Sequence, residues 1–442
     1  MARSARGRGF KPTKKPQKTP SQTPIEMDIE RLSDEGRGIG RINGKLVFVK
    51  GALAGEKVSA RLLKQQKRFD EAEMLDCMEA SAERVEPFCK LYEQCGGCQL
   101  QHLSINEQRQ HKRRRLQQLL SALPSHSSVE LDDIPLLSGD DRGYRHRARL
   151  SYRRGQLGFK AEGSHDIIAF DHCPILAEPL NHALETHRAS LLAYLDTAGP
   201  SELELALGDN DHIGIKILQR NRPSDKLLSG LVAALAEGIT VYEASSADHR
   251  WLSPTAQPLT YSLPQSQQLQ FLPGDFTQVN QTINWQILET ITAWLSPQSG
   301  ERIADYFCGL GNFSKLLAAS GATVIGFDAG EAMIERARQQ ADAAGLTIDF
   351  RKVDLFDGEQ LILPQGVNKL VLDPPRAGAK LLCEYLATKK SLKIIAYVSC
   401  DPGSLKRDLQ ALCDGGFKVE AAVAADMFPH SQHMESLVLL SR

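Results

Sequence analysis

Short apolar runs alternate with amphipathic helical stretches along the last third of the chain. Seven of these runs have the length and composition of strands, at 302–307, 322–328, 347–353, 368–373, 393–399, 417–423 and 436–440. Such alternation predicts an α/β domain with a mostly parallel, Rossmann-like doubly wound sheet. Ligands of such sheets bind beyond the carboxyl ends of the strands, so residues at strand ends become candidates for a site.

The chain has 442 residues, too many for one ordinary core, so it is expected to contain further domains. Residues 21–82 alternate short strand-like runs with glycine-rich turns, which predicts a small β-barrel. Residues 83–103 and 136–275 indicate an α+β central domain. Residues 104–122 have helical periodicity and end before Pro124.

The net charge of −1 argues neither for nor against nucleic-acid binding, but the basic residues are clustered. We expect residues 1–20 to form a disordered basic tail that could follow a phosphate backbone, with Arg3, Arg6, Arg8, Lys11, Lys14, Lys15 and Lys18. The other two clusters are Arg109, Lys112, Arg113, Arg114 and Arg115, and then Arg142, Arg145, Arg147, Arg149, Arg153 and Arg154. Tyr144 and Tyr152 interleave with the last cluster, which suits phosphate contact plus base stacking, although a solvated strand face has the same pattern.

No run approaches the roughly 18 apolar residues that a membrane-spanning helix needs. No apolar segment follows the basic N-terminus as it would in a secretory signal. We therefore expect a cytoplasmic protein that does not associate with membranes. In that compartment the nine cysteines are not expected to form disulfides.

The first strand of the alternating region runs into the glycine-containing stretch Asp305–Phe313. Gly309 and Gly311 allow the backbone to approach a ligand closely and to turn into the next helix. The second and third strands end at Asp328 and Asp354, whose carboxylates could accept hydrogen bonds from ribose hydroxyls and an adenine amino group. Unless these aspartates are unrelated, they favour a nucleoside without phosphates, namely S-adenosylmethionine, over a dinucleotide.

The later strand ends carry groups suited to covalent catalysis. The fourth strand ends in Asp373–Arg376, Cys400 follows the fifth, and Glu435 precedes the last. A cysteine near a cationic sulfonium is expected to have a stabilised thiolate. Its addition to carbon 6 of uracil would activate carbon 5 for methylation, and a base, Glu435 rather than His430 or His433, would remove the carbon 5 proton. The uracil would have to leave the RNA stack to be reached.

Together these motifs resemble the uracil-5 RNA methyltransferases. The resemblance is carried by Asp305–Phe313, Asp373–Arg376, Ser399–Pro402 and Phe428–Glu435. It implies that Cys400 is the nucleophile and Glu435 the base. It also implies cofactor contacts from Gln278, Phe307, Asn312, Asp328, Asp354 and Asp373. Two positions depart from the family pattern, Tyr306 in place of an aliphatic residue and Asp328 in place of the frequent Glu. In the family the helix near 104–135 packs with 276–442 as one methyltransferase domain.

The N-terminal half adds an RNA-binding module and a cysteine cluster. Gly36–Gly40 and Val47–Glu56 resemble a TRAM domain, an OB-like barrel that binds RNA. Four cysteines could present thiolates to one iron–sulfur cluster or one structural zinc, namely Cys89, Cys95, Cys98 and Cys173. The spacing of the cysteines does not distinguish an iron–sulfur cluster from structural zinc, and a redox-active Cys-x-x-Cys pair is a third interpretation. The branch of the family that acts on 23S ribosomal RNA carries this arrangement as a 4Fe-4S cluster, so the resemblance implies that cluster and that substrate. We expect a monomer without an obligate protein partner.

The sequence leaves other functions open. The same chemistry could act on a tRNA uridine or at another 23S site. Cytosine-5 RNA methylation needs the same cysteine addition, although the Asp373–Arg376 loop and Glu435 favour uracil. A non-catalytic RNA chaperone or assembly factor would be indicated if a Cys400→Ala variant kept all cellular function.

Overall fold

The computed structural model describes residues 23–123, 133–219, 224–236, 238–244, 249–251 and 258–442. The predicted basic tail at 1–20 therefore lies outside the described residues, as does part of the 104–135 segment. The chain divides into two compact units, Met1–Val85 and Glu86–Arg442, and each is described by itself.

The first unit is a closed five-stranded barrel with the strand order β1-β2-β3-β5-β4. Its strands are β1 (Ile25–Leu32), β2 (Gly38–Ile42), β3 (Lys45–Lys50), β4 (Lys57–Gln65) and β5 (Phe69–Glu79). Alternate side chains point inward and form the barrel core, as in Met27 and Ile29 of β1 and Val47 and Val49 of β3. A side chain at Gly40 would place its Cβ 2.4 Å from the Asp28 carbonyl, so only glycine fits where β2 crosses β1. The predicted small barrel is confirmed.

The second unit opens with α1 (Ile105–Ser121) and the two-residue strand β6 (Leu136–Leu137), and then builds a seven-stranded central sheet. Along the sheet the order is β13-β12-β11-β10-β7-β8-β9, and only β11 and β12 run parallel. The strands are β7 (Arg147–Arg153), β8 (Gln156–Lys160), β9 (Ile167–Ala169), β10 (Ser201–Leu207), β11 (Ile213–Gln219), β12 (Ile239–Ala244) and β13 (His249–Trp251). Two helices pack their apolar residues on this sheet, α2 (Glu178–Ala198) and α3 (Asp225–Ala234).

A hairpin of β14 (Leu259–Ser262) and β15 (Gln268–Phe271) leads to an eight-stranded sheet with the order β18-β17-β16-β19-β20-β22-β21-β6. Its remaining strands are β16 (Arg302–Tyr306), β17 (Thr323–Asp328), β18 (Ile348–Lys352), β19 (Val367–Leu372), β20 (Ile394–Ser399), β21 (Lys418–Ala425) and β22 (Glu435–Ser441). The helices around it are α4 (Gln281–Leu295), α5 (Ser314–Ala319), α6 (Glu331–Ala343), α7 (Lys380–Ala387) and α8 (Pro402–Asp414). All seven predicted strands are present.

The strand order of this sheet determines where the candidate site lies. β16 to β20 are parallel, and the order reverses between β16 and β19, where a crevice opens at the carboxyl ends of the strands. β22 runs antiparallel to both β20 and β21, so it begins where β20 ends. That geometry brings Glu435, the first residue of β22, to the strand ends that carry the other candidate residues.

Helix α1 packs on this sheet. Ser104 caps its first turn by accepting a hydrogen bond from the Glu107 amide, and its last turns bury Leu116, Leu119 and Leu120 in the core of the sheet. The short strand β6 pairs with the end of β21. Since β6 belongs to the catalytic sheet, the predicted boundary at residue 136 falls two residues too early. Within the described part of the chain, no helix is long and apolar enough to cross a membrane.

Candidate active site

One cavity of about 530 Å³ lies at the carboxyl ends of the parallel strands. The eight residues predicted for the cofactor and for catalysis all line it: Gln278, Phe307, Asn312, Asp328, Asp354, Asp373, Cys400 and Glu435. They come from the loop before α4 and from the ends of five strands and the start of a sixth. Folding therefore gathers residues that are up to 157 positions apart in the sequence, Gln278 and Glu435, around one space.

The loop between β16 and α5 forms the floor of this cavity. Phe307 has a φ of +65°, an uncommon conformation for a bulky side chain. The Gly309 amide donates to Asp328 Oδ2 over 3.1 Å, and the Gly330 amide donates to Oδ1 of the same carboxylate over 2.8 Å. Two backbone amides therefore fix the orientation of Asp328, the shorter acid that departs from the family pattern.

Gly311 shows why this loop needs glycine. Its φ is +89°, and an added Cβ would lie 2.8 Å from the Phe350 ring. Both observations exclude a larger residue without a shift of the loop. The sequence motif therefore reflects a steric requirement of the turn into α5.

Asn312 is held by a partner that the sequence analysis missed. The Asn312 and Asn284 side chains form reciprocal amide hydrogen bonds of 3.0 and 3.1 Å. Asn284 is buried on the otherwise apolar inner face of α4, beside Ile283 and Ile287. A polar residue on such a face was the signal that could have revealed it.

Two buried carboxyl groups lie at the ends of the central strands. Asp305 accepts a hydrogen bond of 2.5 Å from the Ser314 hydroxyl, and burial raises its pKa to about 7. Burial alone raises the pKa of Asp373 to about 7. Both groups therefore change charge near neutral pH.

Cys400 and Glu435 lie on neighbouring antiparallel strands. Ser399 of β20 pairs with Ser436 of β22, so the residue after Ser399 lies beside the residue before Ser436. Burial, then the nearby Glu435 and Asp373 carboxyls, raise the pKa of Cys400 to about 11. Burial and Asp373 also raise the pKa of Glu435 well above its ordinary value. In the protein alone the pKa of Cys400 is raised because desolvation exceeds the opposing effect of Arg376, and stabilisation of the thiolate by a bound sulfonium stays a prediction.

The two candidate histidines differ in position. His433 lines the cavity, and its Nε2 lies 3.3 Å from Nη2 of Arg376. Burial and the positive charge of Arg376 lower the pKa of His433 to about 4, so its ring is neutral. His430 is not among the cavity-lining residues and binds other parts of the chain. The preference for Glu435 as the base stays a prediction.

Two aromatic side chains at the cavity were not predicted. Phe276 and Phe356 line the cavity yet are 67% and 49% exposed. The Phe356 ring packs at 5.7 Å from the Phe307 ring. Exposed aromatic rings at the edge of a cavity are suited to stacking on a ligand ring.

The four predicted cysteine ligands line a second cavity, of about 220 Å³. The side chains of Cys89, Cys95, Cys98 and Cys173 carry no disulfide. Burial, together with the other three thiols, raises the pKa of Cys98 to about 12. Arg145, Arg149 and Lys160 also line this cavity. No three His, Cys, Asp or Glu side chains among the described residues are grouped closely enough for a single metal ion.

The two basic clusters that lie within the described residues are in part less available to RNA than the sequence suggested. Tyr144 and Tyr152 are buried, and their hydroxyls donate to the Pro429 carbonyl and to the Asp196 carboxylate. They are core residues, so their predicted stacking role is wrong. Arg149 is paired with Glu202 over 2.7 Å. In the second cluster Lys112 is fully buried and binds Asp426.

Comparison with known proteins identifies the family. Residues 23–75 match the TRAM domain model and residues 297–425 match a methyltransferase domain model. The chain is 37% identical to the 23S rRNA (uracil(1939)-C(5))-methyltransferase RlmD of Chromohalobacter salexigens, over 94% of this chain and 88% of that protein. It is 38% identical to RlmD of Shewanella sediminis, over 93% of this chain and 94% of that protein. This chain belongs to the RlmD family. The resemblance stated from the motifs is confirmed.

A solved structure agrees with this RlmD-family fold. The Pyrococcus abyssi tRNA (uracil-54, C5)-methyltransferase, in complex with S-adenosyl-L-homocysteine, has a TM-score of 0.74 and covers 94% of this chain. All of that structure is covered, at 22% sequence identity. The likeness extends over nearly the whole chain and establishes the methyltransferase fold.

Proposed function

We propose that this chain transfers a methyl group from S-adenosylmethionine to carbon 5 of a uridine in 23S ribosomal RNA. Membership of the RlmD family supports the reaction and the RNA substrate. The observation that carries the mechanism is the placement of Cys400 beside Glu435 in one cavity with six predicted cofactor residues. Such a substrate would place the protein in the cytoplasm, where we propose that it acts as a monomer.

The cavity residues fit S-adenosylmethionine. Asp328 has its carboxylate oriented by two amides, with acceptor capacity left for ribose hydroxyls. The Phe356 amide donates to Asp354 Oδ1, which leaves the second oxygen for an adenine amino group. Phe307 and Gln278 line the same space, and Asp373 offers a carboxyl group to a cation. S-adenosylmethionine supplies the methyl group and a positive sulfonium when bound.

The roles of Cys400 and Glu435 follow from their chemistry. The Cys400 thiolate adds to carbon 6 of the uracil ring, which makes carbon 5 nucleophilic. After methylation, Glu435 accepts the proton from carbon 5. The electron pair of that C–H bond re-forms the double bond between carbons 5 and 6, and the thiolate of Cys400 leaves. Once ionised, the carboxylate of Glu435 is a stronger proton acceptor than that of an exposed glutamate, because its pKa is raised.

We also propose that Cys89, Cys95, Cys98 and Cys173 hold a 4Fe-4S cluster. The four thiols line one cavity, which supports a common ligand for them. Four thiolates suit either structural zinc or an iron–sulfur cluster. The family resemblance of the motifs favours the cluster. Iron, sulfide and zinc analysis of anaerobically purified protein tests this choice.

The experiment on function uses a 23S rRNA fragment containing 5-fluorouridine. Fluorine at carbon 5 cannot leave as a proton, so the methylated RNA should remain bound to the protein. Mass spectrometry is expected to find the adduct on the peptide that contains Cys400. A Cys400→Ala variant should form none, and the matched Cys77→Ser variant, altered at a thiol outside the cavity, should form it normally.

Other outcomes would revise the proposal in defined ways. An adduct with tRNA or at another 23S site, but not with this fragment, would keep the mechanism and change the substrate. An adduct only with 5-fluorocytidine would indicate cytosine-5 methylation. No adduct with any RNA would favour a non-catalytic RNA chaperone.

A further inference from the structure

The segment Asp426–Met434, here called the base loop, joins β21 to β22 and ends directly before Glu435. Nothing in the proposed chemistry accounts for how strongly it is anchored. Its residues are mostly buried, and it receives hydrogen bonds from α1, from residues 89–103, here called the cysteine segment, and from Tyr144. The position of Glu435 therefore depends on elements that supply no catalytic group.

Helix α1 holds the two ends of the base loop. Lys112 Nζ donates to Asp426 Oδ1 over 2.6 Å and to the Phe428 carbonyl over 2.8 Å. Both charged side chains are fully buried. One turn later, Arg115 donates to the Gln432 carbonyl over 2.6 Å. Lys112 and Arg115 of α1 thus donate hydrogen bonds to the base loop.

The cysteine segment holds the middle of the base loop. The amides of Gln99 and Leu100 both donate to the His430 carbonyl over 2.9 Å. These amides belong to the two residues that follow Cys98, one of the four thiols of the second cavity. His430 has a φ of +64°, a conformation that a non-glycine residue keeps only when its surroundings enforce it.

Gln108 connects the cysteine segment with the base loop. Its Nε2 donates to the carbonyls of Leu100 and Leu103, each over 2.8 Å, and lies 3.2 Å from His430 Nδ1. Its Oε1 accepts from the His430 amide over 2.9 Å. Gln108 is buried, so these bonds are not exchanged with water.

We propose that Gln108 and His430 are positioning residues that tie the cysteine segment to the base loop and thereby hold Glu435 in place for removal of the carbon 5 proton. This inference rests on the proposed function, because it takes Glu435 as the base. It gives the cysteine site a specific connection to catalysis, since the backbone after Cys98 binds the loop that ends at Glu435.

The proposal predicts which step of the methylation reaction fails when Glu435 is displaced. Addition of Cys400 and methyl transfer do not need Glu435, but breaking the C–H bond at carbon 5 does. If Glu435 is displaced, the carbon 6–sulfur bond cannot break, so methylated RNA stays covalently bound to Cys400. A displacement of about 1 Å can slow such a step by roughly 10²-fold. A variant that is merely less stable would instead form less adduct.

The test uses Gln108→Met, which keeps the size of the side chain and removes its hydrogen bonds. The matched control is Gln118→Met, the same exchange at an exposed site on the same helix. Full-length proteins are incubated with unmodified uridine RNA and radiolabelled S-adenosylmethionine, and the label that migrates with protein on a denaturing gel is measured over time. We expect Gln108→Met to accumulate labelled adduct and to release product many-fold more slowly, with the control like the wild type.

The inference is overturned if Gln108→Met releases product at the wild-type rate, or if adduct formation and product release fall together. If that variant does not fold, His430→Asn takes its place, because Asn tolerates a positive φ while losing the ring contacts. Failure of the proposed function is distinguishable, because wild-type protein would then form no adduct with 5-fluorouridine RNA.

Discussion

Single residues in the cavity are tuned mainly by burial. It raises the pKa of Cys400 to about 11 and that of Asp373 to about 7, and it raises the pKa of Glu435 well above its usual range. The protein by itself therefore favours neutral forms of these groups. A positive charge in the cavity would favour their ionised forms, so cofactor binding and ionisation should be coupled.

We predict that S-adenosylmethionine binds more tightly as the pH rises through about 7. Below that pH Asp373 is protonated, and a proton must leave before the carboxylate can face the sulfonium. The affinity should fall by up to roughly tenfold for each pH unit below the pKa and level off above it. Isothermal titration calorimetry across this range measures the dissociation constant.

The control for this prediction is Asp373→Asn, which keeps the shape of the side chain and cannot ionise. Its affinity should be weaker and should lack this part of the pH dependence. Titration of the ligand is common to both proteins and cancels in the ratio of their dissociation constants. A ratio that does not change with pH would mean that Asp373 does not couple to the cofactor.

We predict that Glu435→Gln blocks product release while adduct formation continues. The amide cannot accept the carbon 5 proton, and loss of a general base slows a step by roughly 10²- to 10⁴-fold. Because burial already disfavours the charged form of Glu435, a neutral amide of the same shape should leave the thermal unfolding temperature nearly unchanged. Rapid-quench measurement of adduct and free product separates the two steps. Rapid release by this variant would instead direct the search for a base to His433, which lines the same cavity.

At the scale of elements, α1 shows that basic residues of a helix can bind buried groups of the protein. Arg109 and Lys112 both bind Asp426, which is fully buried. Three of the five charges that suggested RNA contact, those of Arg109, Lys112 and Arg115, are directed to the base loop. Only Arg114 of this group is exposed, and it pairs with Glu107 on the same helix.

We predict that Lys112→Met lowers the free energy of unfolding by about 3 kcal/mol, because it leaves Asp426 buried with only Arg109 as a charged partner. Urea unfolding monitored by circular dichroism measures the change. Arg114→Met, which removes an exposed ion pair on the same helix, should cost less than about 1 kcal/mol. The double variant Lys112→Met with Asp426→Asn should recover part of the loss. Equal effects of the two single substitutions would show that the buried pair does not stabilise α1.

At the scale of the whole molecule, the base loop of the unit Glu86–Arg442 lines one cavity and binds the backbone that follows Cys98, a residue that lines another. One holds the candidate catalytic residues, and the other holds the four thiols. Cys95 forms a β-bridge with Ala161 of the central domain, while the backbone after Cys98 binds His430. The cysteine segment therefore contacts both the central and the methyltransferase parts of this unit.

We predict that Cys98→Ser, purified anaerobically, contains less iron than the wild type and unfolds at a lower temperature. A ligated cluster constrains the segment only in the folded state, so its loss removes stabilisation. Iron analysis and differential scanning calorimetry measure the two effects. Cys77→Ser lies in the barrel and should change neither. Full iron content in Cys98→Ser would contradict the assignment of this cysteine as a ligand.

Local sequence patterns were enough to predict the elements of the catalytic sheet and many of the residues gathered at the site. The seven strands of the catalytic sheet follow from apolar periodicity, and Asp328, Asp354, Cys400 and Glu435 follow from motifs at strand ends, because both signals lie in neighbouring residues. The family resemblance was needed for Gln278, Phe307 and Asn312. The family pattern then assigned roles to Cys400 and Glu435. The turn before α5 could also be predicted from neighbouring residues, because Gly311 has a backbone conformation that only glycine adopts easily.

The direction in which side chains face, and what surrounds them, depended on packing between distant parts of the chain. Gln108 and His430 are 322 positions apart, so no local pattern could predict their hydrogen bonds. Lys112, Tyr144 and Tyr152 looked like surface groups until distant elements covered them. The same holds for the raised pKa of Cys400, since desolvation depends on packing between residues that are remote in the chain.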